Sequence, residues 1–78
     1  MIKRAAILEN GVIHVGRRHS QIIEAAIDEQ ELAKLITGQK GFVTDTGEFV
    51  NRSEAAKIAL ECGQIFQPVK RLYSEDIL

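Results

Sequence analysis

Two short stretches of the chain carry residue types able to hold an anion. Gly16-Arg17-Arg18-His19-Ser20 sets three side chains that carry or accept charge between an apolar run and the start of a second apolar-periodic run. At such a strand-to-helix junction, backbone amides and guanidinium forks together match a phosphate. Asn51-Arg52 repeats the arrangement at a second helix start, with Asn51 suited to the cap and Arg52 to the ligand. Two such starts can face each other across one site. Each stretch also has a plainer reading as a solvated connection whose charges meet only water.

Groupings for catalysis are weaker. Glu75-Asp76 beside Ser74 is a pair of adjacent carboxylates, but neighbours on an extended chain point to opposite faces, which suits shared acid–base work poorly. Cys62 with His14 would make a nucleophile and its base, yet Cys62 falls on an apolar helical stripe, where core packing is the expectation. No Walker loop, GxGxxG or GxSxG pattern occurs in the sequence. One cysteine and two histidines cannot close a four-ligand zinc site without carboxylates or a second chain. These residues predict a binding protein that uses no cofactor, and not an enzyme.

The elements that must position them follow from local signals. Phe42-Val43-Thr44 and Phe49-Val50 suit a pleated, half-buried surface, and Asp45-Thr46-Gly47 between them supplies a turn. Asn51 can then accept from the Glu54 amide while the Glu54 side chain reaches back, starting a helix that Gly63 stops. Ala55, Ala59 and Cys62 form its small-residue stripe toward the core. Earlier in the chain, Asn10-Gly11 between Ala5-Ala6-Ile7-Leu8 and Val12-Ile13-His14-Val15 is the strongest short-range hairpin signal. On the return strand Ile13 and Val15 share one face, and Val12 and His14 the other.

Ser20 is the expected cap of a helix beginning at Gln21, with Ile22, Ile23, Ala26 and Ile27 facing the core. Asp28 with Glu31 offers another cap, so a break is expected there before Thr37-Gly38 ends the helix. In the tail after Gln64, Pro68 bars a continuous helix, while Ile65, Phe66, Val69, Leu72, Tyr73, Ile77 and Leu78 are too apolar for a free segment. That tail should dock on its own domain or on a neighbouring subunit. The expected architecture is a single α+β domain over residues 1–78: two short β-hairpins, each followed by a helix in a ββα-ββα-like order, with a docking C-terminal tail.

Composition narrows the function classes. Seventy-eight residues bury only about 60–65% of the surface the unfolded chain exposes, so self-association would add stability. An apolar share of 45% against 27% charged places the chain among globular proteins. Ten basic and eleven acidic residues give a net charge of −1, which disfavours a general nucleic-acid coat or a membrane-surface protein. A lone cysteine fits a reducing compartment, and neither a membrane span nor a signal peptide is expected.

One resemblance adds to this. Gly16-Arg17-Arg18-His19 after an amino-terminal hairpin, Gly41-Phe42-Val43-Thr44 through Asn51-Arg52-Ser53-Glu54-Ala55-Ala56, Ala59, Gly63-Gln64 and Tyr73-Ser74-Glu75-Asp76-Ile77 stand in one order across most of the chain. In this the chain resembles a family of small tailed-phage and prophage accessory proteins, departing from the family's usual Gln at Lys40. The resemblance implies a non-structural protein acting in the cytoplasm of a bacterial host. By class-level analogy, phage proteins of this size include homo-oligomeric sponges that sequester cyclic-nucleotide or cyclic ADP-ribose signals of host defence. On that analogy Arg17, Arg18, His19 and Arg52 neutralise phosphate, and Asn51 and Gln64 read base or ribose edges. Phe42, Phe49, Phe66 or Tyr73 would stack a base. The partners implied are a phosphate-bearing signalling nucleotide and further copies of the chain. A protein–protein module that inhibits a host enzyme through the apolar tail is the alternative, and nucleic-acid binding through Arg17, Arg18, Lys70 and Arg71 the third reading.

Overall fold

The first hairpin forms where Asn10-Gly11 places it. In the computed structural model, which describes residues 1–77, these two residues take φ of 48° and 79°, the left-handed pair that a two-residue hairpin turn requires. They join β1 (Ile2–Glu9) to β2 (Val12–Gly16), with Glu9 opposite Val12 and Ala5 opposite Gly16. The chain continues through α1 (His19–Glu24), α2 (Glu29–Thr37), β3 (Gln39–Thr44), β4 (Phe49–Asn51) and α3 (Arg52–Glu61) to a 3-10 turn, Ser74–Asp76. The four strands make one antiparallel sheet in the order β2-β1-β3-β4. This is the α+β, ββα-like arrangement expected, with the first helix divided in two.

That division lies at the predicted break. The Asp28 carboxylate accepts from the Glu31 amide at 2.8 Å, and the Glu31 carboxylate accepts in turn from the Ile27 amide at 3.1 Å, so both ends of the link satisfy amides that a helix start leaves without partners. At α3 the Asn51 side chain accepts from the Glu54 amide at 2.8 Å. The far end closes as a Schellman motif: Gly63 at φ 79° lets the Gln64 and Gly63 amides reach the Ala59 and Leu60 carbonyls. Ser20, by contrast, does not cap. The first helix starts one residue earlier than Ser20, at His19, and Arg18 precedes it without a side-chain cap.

All three helices lie on one face of the sheet. Cross-strand partners share a face, so Ala5, Ile7 and Phe42 point toward the helices and join Ile22, Leu35, Val50, Ala55, Ala56 and Ala59 in the core. The small residues of α3 let it lie close on β1 and β3. Gly41 lies on the opposite face, beside Ala6, where a Cβ would collide with the Val50 carbonyl oxygen and the Phe49 ring. Cys62 departs from the expected stripe: it is exposed as the cap of α3, its thiol 3.2 Å from Gln64 Oε1. Helical spacing extended one turn past the last buried position accounts for that error.

The tail docks on its own domain. Ile65 and Leu72 are buried with the core, and the Leu72 amide donates to the Arg52 carbonyl at 3.0 Å. Phe66, Val69 and Tyr73 remain exposed, so only part of the apolar tail is spent on docking; Leu78 lies outside the described residues. Gln64 ties the far end of α3 to β1, its amide group exchanging hydrogen bonds of 2.7 and 2.8 Å with the Ile2 backbone.

Because Ala59 is wholly buried where α3 meets the sheet, Ala59→Leu should destabilise the fold by about 1–3 kcal/mol through overpacking. Urea denaturation would measure this, and an unchanged midpoint would mean the helix does not lie where the structure puts it.

Candidate functional site

The starts of α1 and α3 do converge, and what joins them is a residue from the tail. His19 is buried. Its Nε2 lies 2.8 Å from the Gly41 carbonyl oxygen, its Nδ1 2.8 Å from Ser74 Oγ, and its backbone amide donates to the same Ser74 oxygen at 3.3 Å. A carbonyl can only accept, so Nε2 carries the ring proton; Nδ1 then accepts from the Ser74 hydroxyl. In the neutral ring every partner is satisfied. Burial lowers the His19 pKa below its ordinary 6.5, with the Arg52 and Lys40 charges acting the same way against the Gly41 and Ala6 carbonyls.

Around this anchor lies a small cavity of about 120 Å³ lined by Arg18, Ser20, Arg52, Tyr73 and Glu75 as well as His19 and Ser74. Arg52 forms the wall between it and a wider groove of about 420 Å³, on whose other sides lie Lys40, Asn51, Ser53 and Arg71. The Arg52 guanidinium carbon sits 4.7 Å from the centre of the Tyr73 ring, within cation–π range. Its Nε, however, is buried and has no hydrogen-bond partner among the described residues. The groove is also where the first turn of α3 opens, and such amides lack partners inside their own helix.

Of the residues that sequence nominates, Arg18, His19, Arg52 and Tyr73 thus come together at one cavity, and Asn51 at the adjoining groove. Four do not serve as expected. Phe42 has no exposed surface, and its ring packs edge-on against His19 with centroids 5.1 Å apart, so it supports the anchor and cannot stack a ligand. Gln64 has its amide committed to Ile2 on the far end of α3. Arg17 is exposed and contributes to neither cavity. His19 itself is a structural hub, since both ring nitrogens are occupied. Sequence reasoning missed Ser74, Lys40 and Arg71 for the site. In the sequence Ser74 stands out only beside the Glu75-Asp76 carboxylates and Arg71 only as a nucleic-acid candidate, and Lys40 and Arg71 reach the groove only through the pairing of β3 with β4 and the return of the tail.

Two outcomes follow from the His19 anchor. Ser74→Ala leaves the His19 amide and Nδ1 without their partner in a buried position, which should cost about 1–3 kcal/mol in urea denaturation. A folded-state His19 pKa below 6.5 means the native chain binds fewer protons than the unfolded one between those two values. This contribution to stability is therefore complete above pH 6.5 and is lost as pH falls through the folded value. An NMR titration should show the His19 ring ionising below 6.5; ionisation at or above that value would contradict the assigned network.

Among the described residues no helix is long and apolar enough to cross a membrane, and no group of three or more His, Cys, Asp or Glu side chains is placed to hold a metal ion. Compared with known proteins, the chain matches no curated protein and no solved structure significantly. The family model described as "Phage T4 y16D protein" matches residues 1–78. The match spans every residue described above, both arginine-bearing helix starts and the tail included. The chain belongs to the phage T4 y16D protein family.

Proposed function

We propose that this phage protein is a non-enzymatic accessory protein that binds and sequesters a phosphate-bearing nucleotide signal of the bacterial host, of the cyclic-nucleotide or cyclic ADP-ribose class. The observation that carries the reading is Arg52. It is a permanent cation held over Tyr73, with a buried Nε that has no partner among the described residues, between two cavities that also hold Arg18, Lys40 and Arg71. Because Arg52 lines both cavities, its guanidinium can give a phosphate oxygen a charge-assisted bond. Tyr73, 46% exposed, lines the smaller cavity on the other side of Arg52, where its ring can meet a base, and Asn51 offers an amide to the groove. The groove's wall of Lys40, Arg52 and Arg71 carries no acid, whereas the smaller cavity includes Glu75, so the phosphate belongs in the groove. The site offers cations to neutralise charge, and the one serine–histidine contact beside it is spent on the fold, so binding without turnover is the chemistry it favours.

One specific observation favours a second reading, an inhibitor of a host protein. The Phe66 ring is 92% exposed and stands with Val69 beside an open groove of about 370 Å³. Native mass spectrometry of the protein purified from host cells separates the two: an adduct of small mass supports the nucleotide, and a bound host protein supports the inhibitor.

Calorimetry against cyclic nucleotides and cyclic ADP-ribose isomers should show binding that weakens with added salt. Arg52→Ala should lower affinity roughly 10- to 100-fold with a near-native circular dichroism spectrum. Ligand released by heating should be chemically intact. Absence of binding across the panel would overturn the proposal, and unchanged affinity in the variant would remove Arg52 from the site.

A further inference from the structure

The sheet has two edges, and they are not alike. β4 is three residues long and runs directly into α3 through its cap Asn51, so it offers little to a pairing strand. β2 is five residues long, Val12-Ile13-His14-Val15-Gly16, and contains no proline, lysine or carboxylate, the devices by which edge strands resist pairing. In a two-residue hairpin the residues flanking the turn exchange both backbone hydrogen bonds. With Glu9 opposite Val12, the inward-bonding residues of β2 are Val12, His14 and Gly16. Ile13 and Val15 therefore aim their amides and carbonyls away from the sheet.

Their side chains continue the same edge. Ile13 pairs with Leu8 and Val15 with Ala6, which puts both on the sheet face opposite the helices. They are 42% and 51% exposed. We infer that β2 is the interface through which two copies of this chain pair antiparallel, joining their four-stranded sheets into one continuous sheet. The occupant is a second copy because the free groups complement themselves. Setting Ile13 opposite Val15 of the other copy makes the two outward-bonding residues a hydrogen-bonded pair on each side of the two-fold axis. His14 then falls on the axis opposite its own copy, with Gly16 opposite Val12. The same register brings the basic end of the strand, Arg17-Arg18, toward the end that carries Glu9 in the other copy. It also lays Ile13 of each copy against Val15 of the other, extending the apolar back formed by Ala6 and Leu8. His14 Nε2, buried and without a hydrogen-bond partner among the described residues, lies at this edge, 3.9 Å from the Glu9 carboxylate.

This pairing is independent of the ligand proposed above, and it is tested without one. Sedimentation of the full chain should give a dimer. Ile13→Pro removes only an outward amide, leaving the β1 ladder intact, and Val15→Lys sets a charge on the apolar back; each should sediment as a monomer with a near-native circular dichroism spectrum. In a Cys62→Ser background, His14→Cys should form a disulfide with its own copy, because residues on the axis face each other in a non-hydrogen-bonded pair. A wild-type monomer, a dimer untouched by both substitutions, or a His14→Cys chain that resists cross-linking would overturn the inference.

Discussion

The buried bond set of His19 is the constraint from which the rest of the site is built. One imidazole joins the middle of β3, through the Gly41 carbonyl, to the tail, through Ser74, while its own backbone opens α1. Each of those groups is buried and polar, so each needs a partner, and the geometry leaves each with this one. The Phe42 ring stands at 79° to the imidazole, with centroids 5.1 Å apart, and this contact holds the imidazole plane as well as its position. Tyr73 is adjacent to Ser74 in the chain, so the bond that holds the tail also sets the phenol ring under Arg52.

The cations around the groove come from parts of the chain far apart: Lys40 from β3, Arg52 from the start of α3 and Arg71 from the tail. Gathering like charges costs energy in a domain whose net charge is only −1, and the arrangement shows how that cost is moderated. Lys40 donates to the Ile36 carbonyl at 2.8 Å, at the negative end of α2. Arg52 leans on an aromatic face. Such partial neutralisation leaves a groove that is positive yet compatible with the fold, and the partnerless Nε of Arg52 marks where neutralisation is incomplete.

Much of the fold was legible because its signals are local. The Asn10-Gly11 turn, the Asn51 and Asp28 caps and the Gly63 stop each depend on residues within one turn of one another, where spacing alone decides whether an amide can find an oxygen. Alternation likewise separated Ile13 and Val15 from Val12 and His14. Ser20 shows the limit of this reading. It stands at a suitable helix start, but the His19 amide takes its oxygen from Ser74, 55 residues away. For Cys62, a helical stripe carried one turn too far predicted burial where the helix has already ended.

The site divides along the same line. Residue types at two helix starts identified Arg18, Arg52 and Asn51 as candidates, because a guanidinium or an amide at such a place has a limited range of uses whatever surrounds it. The sequence by itself determined these residues, the hairpins and the caps. Tertiary structure alone decided that Phe42 lies inside, that Gln64 is spent on Ile2, and that Lys40 and Arg71 meet Arg52. Burial and long-range contact depend on which surfaces the sheet order and the returning tail bring together. Once the loops between are closed, separation along the chain no longer determines distance in space.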